Sequence, residues 1–312
     1  INDLGFLTRA DEAGFSNWLQ FKNEKPSKHL RSRRVNFNQW ALYNFDGDRM
    51  ALGGNVNANV RTKANYFIGG GVTLESEAFD DRLTRGGPGG LTTQWVFAWH
   101  NFQSDDRKAV QYMHFLQGGR DRHNSSRLGF GPSVRVRPSS ALSVTAGVQA
   151  FRNIDDSQWV ENVTDSVGQG SSRALTHYTF GHLRQTTVAA TLRVNYTITP
   201  RLSIQLYGAP FVSAGGYGEF KELVDGRAAQ YDDRYAPYAY AGNPDFNYRS
   251  FRTTNVLRWE YRPGSTLFVV WQQGREEVTD DGRFRFGPDF GGMFRAAGHN
   301  VFLVKMAHWL NF

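Results

Sequence analysis

HNVFLVKMAHWLNF, residues 299–312, closes the chain on an aromatic residue. Counting back from Phe312, every second residue is Leu310, His308, Met306, Val304 and Phe302; the other parity holds Asn311, Trp309, Ala307 and Lys305. This is the period-two alternation of a β-strand with two unlike faces. The pattern runs polar Lys305, small Ala307, apolar Leu310 and terminal Phe312. A soluble protein ending in a strand is the competing account, so the rest of the chain has to decide.

Working outward, the same alternation recurs. Val35, Phe37, Gln39, Ala41, Tyr43 and Phe45 share one parity against Arg34, Asn36, Asn38 and Asn44, and Asp46-Gly47-Asp48 then makes a tight turn. Leu52, Gly54, Val56, Ala58 and Val60 oppose Asn55, Asn57, Asn59 and Arg61. Further strands are expected at Tyr66–Leu74, around Trp95, Phe97 and Trp99, and at 108–117, 127–137 and 142–151. One long strand is expected from Thr176 to Thr197, and others at Leu202–Leu206, around Leu257–Tyr261 and at 266–274. Before Pro26 the pattern is weaker: an apolar piece Leu4–Leu7, a turn at Asp11–Gly14 and a strand through Trp18, Leu19 and Phe21. The total is about 14 strands, with 12 or 16 as alternatives.

Connection lengths supply a second test. With Phe312 at one end of the sheet, the connections before Leu267, Leu202, Leu142, Lys108 and Tyr66 fall at that same end, and all are short. The long loops, at 79–90, 153–174, 214–250 and 275–298, fall at the other, with the short turn at Asp46–Asp48 as the exception. Short turns at one end and long loops at the other are the pattern of an outer-membrane barrel.

Composition is compatible with this. The 312 residues contain 33 glycines, 14% aromatic and only 21% charged residues, and carry a formal charge of +7. Mean hydropathy is −0.52, which a barrel tolerates because only alternate residues need to be apolar. No run approaches the roughly 18 apolar residues of a membrane helix. Cysteine is absent, which excludes disulfides and thiolate metal sites. The basic charge has no nucleic-acid motif beside it, so no nucleic-acid partner is expected.

The closing pattern resembles the sorting signal read by the barrel-assembly machinery of bacterial outer membranes, with Lys305, Ala307, Leu310 and Phe312 as its elements. The runs Asn2-Asp3-Leu4-Gly5-Phe6-Leu7, Leu192-Arg193-Val194-Asn195-Tyr196 with Pro200 beyond it, and Val256-Leu257-Arg258-Trp259-Glu260-Tyr261-Arg262-Pro263-Gly264-Ser265 extend the likeness. With them the chain resembles an uncharacterised bacterial outer-membrane family, in which a barrel classed as a domain of unknown function follows a family-9-like carbohydrate-binding sandwich. The resemblance implies an all-β, up-and-down transmembrane barrel occupying 1–312 as one domain, located in the outer membrane. Residues 1–312 hold no such sandwich, so no carbohydrate role is carried over from it, and a processed product is one expectation.

Candidate functional residues follow from parity. Arginine facing lipid at mid-membrane costs about 2–4 kcal/mol. Arg34, Arg61, Arg135, Arg137, Arg193, Arg258 and Arg262, with Glu260 as the opposed carboxylate, are therefore expected to line the lumen. Rings of arginine favour anions, so the expected function is a porin-like channel for small anionic or sugar-like solutes. The alternative is a membrane anchor or subunit of a cell-surface assembly, its lumen partly plugged. Trp309, Leu303 and Val301 share the parity of Lys305 and lean toward filling. Trp95, Trp99, Tyr196, Trp259, Tyr261 and Trp271 are expected as an outward aromatic girdle. The tyrosine-rich loop 214–250 is a candidate contact for a partner protein, and outer-membrane lipid and lipopolysaccharide are expected around the barrel. No enzyme, cofactor or metal is expected: His123 and Ser125 sit two apart in a polar turn, and His100, His177 and His182 lack metal-ligand spacing.

Overall fold

The computed structural model describes residues 9–165 and 175–310. The run Asn2–Leu7 and the terminal Phe312 of the closing pattern lie outside the described residues. Strands β1 (Glu12–Asn23), β2 (Leu30–Asn44), β3 (Arg49–Thr62) and β4 (Phe67–Glu75) follow in order. A small hairpin of β5 (Phe79–Asp80) and β6 (Gly90–Leu91) interrupts, and β7 (Trp95–Gln103), β8 (Val110–Arg120), β9 (Ser126–Val136) and β10 (Leu142–Thr164) resume. The chain finishes through β11 (Thr176–Thr199), β12 (Leu202–Leu223), the short β13 (Tyr235–Pro237), β14 (Phe246–Arg262), β15 (Ser265–Thr279), helix α1 (Phe286–Met293) and β16 (Gly298–Ala307). Apart from the β5–β6 pair, all strands belong to one antiparallel sheet of 14 strands in which sequence neighbours pair; β13 hangs on β12. Among the described residues no strand pairs the second edge of β1 or of β16.

Turn chemistry explains why one end of the sheet is compact. Pro263-Gly264 joins β14 to β15, with Gly264 at φ 77°, the left-handed conformation a type II turn needs at its second central residue. Residues 24–29, 63–66, 104–109, 137–141, 200–201 and 263–264 all turn at the end where β16 finishes. The opposite end carries the long connections 76–94, 224–245 and 280–297, together with short turns at 45–48 and 121–125.

The expected loops are shorter than sequence pattern suggested. β10 runs on to Thr164, β12 to Leu223 and β15 to Thr279; β14 begins at Phe246, and β1 begins at Glu12 inside the expected Asp11–Gly14 turn. These extensions lack a clean apolar–polar alternation, yet their backbone groups still need ladder partners, which the neighbouring strands supply. Bulges between Asp155 and Gln158 and between Phe180 and His182 further scramble the parity.

Register assigns the two faces. Phe37 opposes Val56, Val56 opposes Val72, and Val72 opposes Ala98. Further round, Ala146 opposes Leu192, and Val269 opposes both Leu257 and Val304. This apolar set is the exposed one: Val56 is 49% and Leu192 50% accessible, against 9% for Asn36 and 3% for Gln111 on the other face. The sheet is therefore curled with its polar face inside the curve. Arg234, just beside the end of β12, reaches Glu77, just past the end of β4. Those strands are six steps apart, or about 29 Å in a flat sheet at ~4.8 Å per step. Buried apolar residues concentrate near the long-loop end, at Ala78, Phe79, Phe180, Leu183, Leu223 and Met293.

Candidate functional site

On the concave face, β1–β3 carry a connected row of amides. Asn36 Nδ2 donates to Asn57 Oδ1 at 2.7 Å, Asn57 Nδ2 to Asn55 Oδ1 at 2.6 Å, and Asn59 Nδ2 to Asn57 Oδ1 at 3.2 Å. Gln20 Nε2 and Trp18 Nε1 both donate to Asn36 Oδ1, at 2.8 and 3.2 Å. Amides can join such rows because each carries two donors and an acceptor with two lone pairs. Glycines make room for indoles beside them. A Cβ on Gly53 would come within 2.5 Å of the Trp40 ring, and one on Gly71 within 3.0 Å of Trp99 Nε1.

Positive charge gathers on this face toward the short-turn end. Lys22 opposes Arg34, Arg135 opposes Gln111 and Thr145, Thr145 opposes Arg193, and Phe268 opposes both Arg258 and Lys305. Glu24 takes Lys22 at 2.6 Å and Arg34 at 3.6 Å; Glu260 takes Arg258 at 3.4 Å. Arg193 lies over the Tyr207 ring at 5.3 Å. Arg61, Arg135 and Lys305 have no carboxylate partner among the described residues. Arg137 lies past the end of β9 and donates to the carbonyls of Asp106 and Lys108, which makes it a clamp on a turn. Arg262 ends β14, beyond a register shift.

Of the six residues expected as an outward girdle, four share the apolar face. Tyr196 opposes Leu142, Trp259 opposes Leu267, Tyr261 follows two residues on, and Trp271 stacks on Phe302 with centroids 6.0 Å apart. Trp95 and Trp99 do not. They oppose Glu75 and Gly71, and Gly71 opposes Asn57, so both indoles stand on the amide face. Over 95–99 both parities of β7 are apolar or aromatic, and only Asn101 and Gln103 further along mark the polar one; the pairing of Val96 with Leu74 and Ala98 with Val72 settles it. In β16, Lys305 and Ala307 share the polar parity, and Leu310 lies beyond the strand. Leu303 on that parity is 53% exposed, so the packing material expected beside it is not found among the described residues.

Over the long-loop end, 76–94 and 224–245 pack on each other. Arg234 is 1% exposed and donates to the carbonyls of Ala228 and Leu91 at 2.9 and 3.1 Å, as well as to Glu77. Arg227 pairs with Asp48 at 2.7 Å, and its guanidinium lies 3.9 Å from the Phe79 ring centre. His123 stacks on Tyr231 at 4.1 Å, while Ser125 Oγ accepts from the Asp156 amide at 3.1 Å, so the two do not form a nucleophile–base pair. Asp156, His182 and Glu219 converge, a grouping invisible to sequence spacing because it joins three strands. Lys221 Nζ and Tyr231 OH already reach Asp156, each at 2.6 Å, so an ammonium supplies the cation there.

A family profile described as Domain of unknown function (DUF5916) matches residues 1–312. The chain belongs to this family. Among curated proteins, none matches it. For this DUF5916 chain the site is therefore read from its own geometry: an amide-and-indole wall on β1–β7, and a cationic belt toward the short turns.

Proposed function

We propose that this DUF5916 chain is a transmembrane β-barrel of the bacterial outer membrane that passes small anionic or sugar-like solutes. The observation that carries the proposal is the sorting of side chains along most of the sheet, mainly apolar on the exposed convex face and mainly polar on the concave one, with His100, His114, Thr253 and Asn255 as convex exceptions and Phe115, Phe151 and Phe268 as concave ones. Monomers in water rarely expose apolar patches beyond a few hundred Å², and such a face suits lipid. On β10 the apolar parity runs from Leu142 to Ala150, roughly 27 Å along the strand at ~3.4 Å per residue. A tilt of about 40° makes that roughly 21 Å, of the order of the ~25 Å apolar band of outer-membrane barrels. The cationic belt supports preference for anions, and amides beside indoles suit hydroxylated solutes.

Planar-bilayer recording of the purified chain tests this: discrete, anion-preferring conductance is expected, and a chain that inserts but stays silent overturns it. A second reading, an anchor with an occluded mouth, is favoured by the packing of 76–94 on 224–245. It predicts silence together with a partner protein retained through mild detergent extraction.

A further inference from the structure

The convex face changes character abruptly above its apolar run. On β10 the outward residue after Ala150 is Arg152, and on β11 the outward residues beyond Val188 are Thr186 and Arg184. On β12, Arg184 opposes Gly216, where the connection 280–285 crosses backbone on backbone; a Cβ on Gly282 would lie 2.5 Å from Gly216 Cα. The crossing chain brings Arg283 and Arg285 over the two wall arginines. Together these four residues, with His182 and Glu219, line a crevice of 670 Å³.

The charges in it are incompletely matched. Arg152 Nη1 donates to Thr186 Oγ1 at 2.8 Å, and Arg184 has no ion-pair partner among the described residues. Arg283 and Arg285 share the single carboxylate of Asp281, and Glu219 sits at the rim. Asp245, which accepts from the Tyr217 amide at 2.7 Å, lies beside Gly216 and Gly282, so four guanidiniums face three carboxylates. Beside the crevice, α1 packs on β12, β14 and β15 from the convex side. Asp289, fully buried, holds it to Asn247 and Arg249, while Phe286 is 68% exposed and Phe290 lies against it at 4.9 Å. Phe294, 53% exposed, rests against outward Phe251 at 5.0 Å.

We propose that this crevice holds the phosphate headgroup of a membrane lipid, with the acyl chains running down over Val148, Ala150 and Val188. Guanidinium forks match phosphate oxygens bidentately. The position, at the upper border of the apolar band and on the face opposite the cationic belt, separates this site from any solute path. The inference rests on the transmembrane reading above.

The test is native mass spectrometry of the whole chain in detergent micelles, with dioleoylphosphatidic acid, with dioleoylglycerol as the same chains without phosphate, and with excess inorganic phosphate as competitor. Expected are phosphatidic acid adducts, no dioleoylglycerol adducts, no displacement by inorganic phosphate, and a loss of about tenfold in adducts for R152Q/R184Q/R283Q/R285Q, the scale of lost charge-assisted bonds. A control, R31Q/R33Q/R201Q, should keep them, and heat-modified gel migration shows that each variant is folded. Equal retention by the quadruple variant or equal binding of dioleoylglycerol overturns the proposal, as does displacement by inorganic phosphate. Failure of the transmembrane reading looks different: the chain stays monomeric in detergent-free buffer and does not enter vesicles.

Discussion

Asp105 shows how much one side chain contributes to the compact end of the sheet. It is 3% exposed in the β7–β8 turn and takes Arg107 Nε at 2.9 Å and Nη2 at 2.8 Å, with Asn65 of the β3–β4 turn reaching it at 3.5 Å. The Arg107 guanidinium beside it holds its carboxyl well below the usual carboxylate range. A depressed folded-state pKa means that the stabilisation is fully present above the unfolded value of about 4. It is lost as pH falls below that value toward the folded one. Unfolding in detergent, followed between neutral and strongly acidic pH, should therefore show the wild type losing an increment of stability on acidification that D105N has already lost at neutral pH. At the same scale, Leu192 separates the two environments its face could meet. It is half-exposed on the convex face, so in water L192R would stay within ±0.5 kcal/mol, whereas against lipid it should cost about 2–4 kcal/mol. Equilibrium unfolding from vesicles measures the difference.

Elements at the long-loop end are held by buried charge. Arg234 ties 224–245 to both Glu77 and the Leu91 carbonyl, and truncating it strands those partners. R234A should lower local stability there by about 1–3 kcal/mol. Hydrogen exchange should consequently accelerate across 224–237, with little change in β3 or β16. Uniform acceleration throughout the sheet would count against a local latch. Little of this was legible in sequence. The polar run 153–164 carries no clean alternation, yet it forms the upper part of β10 because β11 supplies its ladder partners. The helix was invisible for a related reason: FGPDFGGM contains three glycines and a proline, poor helix formers, and Asp289 holds it against Asn247, Arg249 and the Arg285 amide.

For the molecule as a whole, the cationic belt makes a quantitative demand on the channel reading. R135Q/R193Q/R258Q should keep conductance while lowering the ratio of anion to cation permeability several-fold. The contrast should be clearest near 0.1 M salt, where the screening length is about 10 Å, and fade near 1 M, where it is about 3 Å. Bi-ionic reversal potentials read this directly, and an unchanged ratio would remove the belt from any selectivity role.

Period-two alternation and turn chemistry, both local properties, were enough for the sequence by itself to determine the alternating stretches of the long strands, their up-and-down order, the end holding the short turns and the polar parity of Arg34, Arg61, Arg135, Arg193 and Arg258. Tertiary structure alone decided what depends on neighbours distant in the chain. Trp95 and Trp99 face the amides because β4 sets the register of β7. Asp156 meets Lys221 because β11 spaces β10 from β12. The four arginines of the crevice assemble because 280–285 folds back over Gly216. Side-chain periodicity is written residue by residue along one strand, whereas register and loop packing are energies shared between strands, and no single segment carries them.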